Sequence, residues 1–145
     1  MNPRIAIWNT LHDGQITVAV REEASVQLFV SIPYLRSRLL PLGDSFSLRL
    51  SGVRSFEFSD YEEKKKTSVL ADIAMSGIEI LSTDSTAMPI KIATTQGFLI
   101  LDFDDLEIRL DTGETVGYDA VYAACQQYWD EWSAKAEKAK KEPNQ

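Results

Sequence analysis

The chain has 145 residues, one cysteine and a formal net charge of −7, with 44% apolar and 26% charged residues. That length suits a single domain able to bury its own core, and no apolar run approaches the roughly 20 residues of a membrane helix. An acidic protein of this kind repels nucleic-acid phosphates and anionic membranes and attracts basic partners.

From the N-terminus, two apolar registers match across Asp13-Gly14, a dipeptide favoured in two-residue hairpin turns. Leu11 meets Ile16, Asn9 meets Val18 and Ile7 meets Val20, so Arg4–Leu11 and Gln15–Glu22 are predicted to form a first hairpin. Val26, Leu28, Val30 and Ile32 alternate with polar or opposite-facing residues as a third strand that Pro33 ends. Tyr34–Leu40 reads as one helical turn or an irregular crossover. Phe46–Leu50 and Arg54–Ser59 supply two more alternating strands.

Residues 60–77 carry a charged run followed by Val69, Leu70 and Ile73 at helical spacing, with Gly77 as a stop, which predicts a short helix near 65–75. Strands follow at Ile78–Ser82, Ile90–Thr94, Phe98–Phe103 and Leu106–Leu110, with a loop at Asp84–Pro89. The last two strands match in register about Asp104-Asp105, placing Leu99, Leu101, Phe103, Leu106, Ile108 and Leu110 on one core face. A bulge at Asp104-Asp105 within one long strand explains the same change of parity.

From Tyr118 the period changes from two to about 3.6. Tyr118, Val121, Tyr122, Cys125, Trp129 and Trp132 form one stripe of a long C-terminal helix. Beyond residue 133 the apolar pattern stops, so 1–133 reads as the globular domain and 134–145 as a polar helix end that frays. That tail holds four lysines and two glutamates, which leaves 11 basic and 20 acidic residues, a net −9, in positions 1–133.

The candidate chemistry is sparse. His12-Asp13 resembles the doublet of metal-dependent phosphohydrolases, yet His12 is the only histidine and zinc or related sites want several His or Cys ligands. Gly43-Asp44-Ser45-Phe46 resembles the Gly-Asp-Ser-Leu block of serine esterases, but no histidine follows it to take the serine proton. Cys125 has no neighbouring base and lies on the apolar stripe, as a buried structural thiol would. No catalytic residue, metal ligand set or cofactor motif is assigned.

The densest acidic stretch runs through Asp102, Asp104, Asp105 and Glu107. In the hairpin register Asp102 and Glu107 sit opposite each other, where a basic partner would relieve their repulsion. Tyr128 falls off the centre of the helical stripe, so these five residues are the candidate partner-binding set. The segments IPYLRSRL, GDSFSLRLSGVRSFEF and YWDEW resemble segments of small bacterial proteins of the unknown-function type. That resemblance implies a compact α+β domain and no particular activity.

The expected fold is therefore α+β: a curved, mostly antiparallel sheet of seven to eight strands, with a partial barrel as one geometry the pattern allows, and one long C-terminal helix packed on it. The expected function is a non-enzymatic protein-binding module with an acidic surface, in its most concrete form an immunity-type inhibitor of a basic protein. The alternatives are a small hydrolase or lyase using Asp102, Asp104 and Glu107 in acid–base chemistry, and a small-ligand carrier. With no export signal and no possible intrachain disulfide, the expected location is the cytoplasm.

Overall fold

Asn2 and Pro3 start a helix where apolar alternation predicts a strand. In the computed structural model, which describes residues 2–62 and 66–141, α1 spans Pro3–Thr10, with the Asn2 side chain accepting the Arg4 N–H at 3.1 Å. Asparagine at the cap and proline in the first turn are strong start signals. Ile5, Ala6, Ile7, Trp8 and Thr10 are all buried and only Pro3 and Asn9 are exposed, so the helix shows too little polar face to reveal its period. The first predicted hairpin is thus overturned. Of its turn residues only Asp13 has positive φ, 71°, whereas a type I′ turn needs both. Gly14 serves close packing instead: a Cβ there would lie 2.6 Å from Val30 Cγ1.

Strand β1 (Gln15–Glu22) pairs with β2 (Ser25–Ser31) rather than with the N-terminal segment. Their register passes from Ile16↔Val30 to Val18↔Phe29, so Thr17 is an extra residue. This bulge reverses the parity of the strand. Ile16 and Ala19 point inward, while Val18 and Val20 are 41% and 45% exposed, against the predicted core face.

Pro33 then opens the single turn α2 (Pro33–Arg36), followed by β3 (Ser45–Ser51), β4 (Ser55–Asp60) and the short β5 (Lys66–Thr67). The predicted 65–75 helix is realised as α3 (Leu70–Met75), which buries Leu70 and Ile73 and is followed by Gly77 at φ 67°. Residues 63–65 of the charged run lie outside the described residues, as do 142–145 of the predicted fraying tail. β6 (Ile80–Thr83), β7 (Ile90–Thr94), β8 (Gly97–Asp102), β9 (Asp105–Leu110) and α4 (Tyr118–Lys141) complete the chain.

The fold is α+β, with two antiparallel sheets of order β1-β2-β3-β9 and β5-β4-β8-β7-β6 and no closed barrel. The second predicted hairpin does not form. β8 pairs with β4 and β7, while β9 pairs with β3 in the other sheet. The chain changes sheet at Phe103-Asp104, just as it does between β3 and β4 at Gly52–Arg54. Hydrogen bonds continue around this corner, from Asp104 N to Ser51 O at 2.9 Å and from Arg54 N to Asp102 O at 2.8 Å. A corner and a hairpin require the same parity switch, because in both the apolar face must keep facing the core. Leu99, Leu101 and Phe103 are fully buried, Ile108 and Leu110 nearly so, and Leu106 partly.

α4 packs against both α1 and α2. Val121, Ala124 and Cys125 are buried under it, but Trp132, predicted to face the core, is 55% exposed. The body ends before the helix does. From Asp130 to Lys140 every described residue except Ala136 is exposed.

Candidate functional site

Because α4 meets α1 side by side, a groove of about 490 Å³ opens between the two helices and the 84–89 loop. Its walls are Ile5 and Ala6 from α1 and Tyr118, Tyr122, Cys125 and Trp129 from α4. Helical geometry explains the set: residues 118, 122, 125 and 129 recur every three or four positions and share a face.

The polar groups of the groove largely satisfy one another. Thr10 Oγ1 donates to Ala6 O at 3.1 Å and lies 3.2 Å from the Tyr118 hydroxyl. Gln126 Nε2 donates to the Tyr122 hydroxyl at 2.8 Å. The Asn9 amide binds both N–H and C=O of Thr83, tying α1 to β6. The Cys125 thiol is pushed up from its ordinary value by burial and sits 3.6 Å from Thr10 O, so it is a poor nucleophile. No carboxylate, lysine, arginine or histidine lines this groove.

An aromatic ridge continues from it. Tyr118 and Tyr122 have ring centroids 5.9 Å apart, and Trp129 meets Trp132 edge-on at 6.0 Å. Tyr128, predicted as a partner contact, is half-buried on the other flank of α4. It stacks on Tyr34 at 4.4 Å and lies under the Arg38 guanidinium, which itself binds Glu131 at 2.5 Å. That contact is the main reason the Glu131 carboxyl lies below its ordinary value.

The predicted acidic set lies away from the groove, along the corner between the sheets. Asp102 and Asp104 both bind Arg54, at 2.7 and 2.6 Å, and these bonds hold the guanidinium charged well above its ordinary range. Glu107 pairs in register with Arg49 and forms an ion pair with Arg109; Asp105 is exposed opposite Ser51. Asp102 and Glu107 are therefore in different sheets, not opposite each other. Asp102, Asp104 and Glu107 line neither the groove nor a smaller recess of about 330 Å³ near Lys91 and Phe98.

The two motif-like segments have structural roles. His12 Nδ1 donates to Leu81 O at 2.7 Å, its Nε2 is 3.4 Å from Asp13, and among the described residues no group of three His, Cys, Asp or Glu is placed to hold a metal ion. Gly43-Asp44-Ser45 wraps the Asp111 carboxylate, whose Oδ2 accepts the N–H groups of Asp44 and Ser45 at 3.0 and 3.2 Å. Its Oδ1 binds the fully buried Arg36.

Sequence periodicity does not reveal the groove, because it predicts a strand where α1 forms the wall. The signal that points to it is the Asn2-Pro3 cap at the head of the Ile5–Leu11 apolar segment. No protein-family model, curated protein or solved structure matches this chain.

Proposed function

We propose that this protein is a non-enzymatic, protein-binding module and that the α1–α4 groove is its docking surface. The observation that carries this reading is an aromatic, apolar groove of about 490 Å³ without any acid–base pair in it. Tyrosine and tryptophan are over-represented at binding hot spots, and the ridge supplies Tyr118, Tyr122, Trp129 and Trp132 on one helix. The carboxylates required by an acid–base hydrolase or lyase lie elsewhere, two of them on Arg54. Among the described residues no helix is long and apolar enough to cross a membrane.

The body's net charge of −9 favours a basic protein partner over nucleic acid and would speed encounter. In its most concrete form the module is an immunity-type inhibitor of a basic protein in the cytoplasm, with Asp102, Asp104, Asp105 and Glu107 contributing to the long-range field and Tyr128 buttressing α4. The test is capture at low salt from the native host, identification of the partner, and titration of that purified partner. Gln126→Arg, at an exposed position on the groove wall, is expected to weaken binding about tenfold or more, and added salt is expected to weaken it further. Binding unchanged by both would overturn the reading.

The groove's size also falls within the range of small-molecule sites, which favours a ligand carrier as the second reading. Native mass spectrometry of freshly purified protein separates the two, because a carrier retains a small molecule that Gln126→Arg loses.

A further inference from the structure

Resting on the protein-binding reading, we infer the chemistry of the segment that fills the groove: a short extended peptide with a bulky apolar anchor at its centre and a lysine or arginine on each side. The inference comes from what flanks the groove. Asp119 and Asp130 each follow a groove-lining aromatic, Tyr118 and Trp129, by one residue. Eleven residues apart, they are three turns apart and share one edge of α4. Both are exposed and neither forms an ion pair among the described residues.

The anionic rim thus brackets an uncharged apolar floor. The carboxylates of Asp102, Asp104, Glu107 and Glu131 have arginine partners, whereas Asp119 and Asp130 leave their charge available beside the groove. The lysines of α4 begin at 135, more than a turn beyond Asp130, and none forms an ion pair with it among the described residues. Asp119 and Asp130 are separated along the helix by about 16 Å, which an extended chain spans in about five residues. A segment of the form basic-x-apolar-apolar-x-basic matches both the charge and the length.

The probes are three synthetic hexapeptides, Lys-Ser-Leu-Phe-Ser-Lys, Glu-Ser-Leu-Phe-Ser-Glu and Lys-Ser-Ser-Ser-Ser-Lys, titrated into isotope-labelled full-length protein at low salt. Amide shifts are followed at Ala6, Gln126 and Trp129. The first peptide is expected to move these resonances and to bind at least about fivefold more tightly than either control. Asp119→Asn with Asp130→Asn is expected to remove most of its advantage over the Glu peptide while leaving the fold unchanged. Equal binding of the Lys and Glu peptides in the groove would overturn the charge inference and leave the docking groove standing. Equal binding of the Ser-centred peptide would overturn the anchor. If no peptide moves the groove resonances, or shifts appear only around residues 102–107, both this inference and the docking reading fail.

Discussion

Arg36 is fully enclosed, and its guanidinium donates twice to Oδ1 of Asp111, from Nε at 3.0 Å and from Nη2 at 2.8 Å. The Nε N–H is shared with Ser45 O at 3.1 Å, and Nη1 donates to Leu39 O at 3.1 Å. This pair joins α2, the loop before β3 and the end of β9, and so fixes the floor against which α4 lies. Removing one member leaves the other charge without its partner. Asp111→Ala is expected to cost about 3–5 kcal/mol in urea unfolding, and the double change Arg36→Met with Asp111→Leu to recover part of it. An Asp111→Ala loss under about 1 kcal/mol would show that the pair is not structural.

Gly43 permits that pair to form. A Cβ at this position would lie 2.2 Å from Asp111 Oδ1 and 2.7 Å from Arg36 Nη2. Gly43→Ala is expected to lower stability by about 1–3 kcal/mol through forced displacement of the pair. Gly117→Ala, where an added Cβ meets nothing within 4 Å, is the control and should cost under about 1 kcal/mol. Equal thermal midpoints for the two variants would contradict this.

Burial pushes the Asp111 carboxyl up, but the N–H of Asp44, the Arg36 guanidinium and the N–H of Ser45 together outweigh it and hold the group below its ordinary 3.8. With the folded value depressed, the unfolded chain binds more protons between the two values, so stability rises with pH there. The contribution is complete above the unfolded value and is lost as pH falls through the folded one. Urea midpoints measured from pH 2.5 to 6 should therefore fall below about pH 4, with a shallower fall in Asp111→Asn.

The Cys125 thiol is buried and raised in pKa. Iodoacetamide at pH 8 should label the folded protein at least about a hundredfold more slowly than the urea-unfolded chain. Comparable rates would show that the groove opens readily beneath α4.

Most strands and α4 were legible because their apolar periods are clean: Ile90–Thr94 and the Tyr118 helix start match the structure residue for residue. The failures share a cause. Most of α1 is buried, so Ile5 and Ile7 imitate alternation, and the bulge at Thr17 changes parity without changing residue type. The parity switch at Asp104-Asp105 is legible, but parity does not distinguish a hairpin from a corner between sheets. The acidic set is visible as composition; the pairing of Asp102 and Asp104 with Arg54, 48 and 50 residues away, is not. The groove depends on α1 meeting α4 across more than 100 residues, as Thr10 and Tyr118 do.

Site-specific photocrosslinking in the native host tests the docking claim most directly. A benzoylphenylalanine at position 126, on the groove wall, is compared with one at position 57 in β4 and one at position 105 at the sheet corner. The account predicts one discrete adduct from position 126, identified as a basic protein and diminished by salt, with none from position 57. An adduct from position 105 alone, or equal adducts from all three, would contradict it.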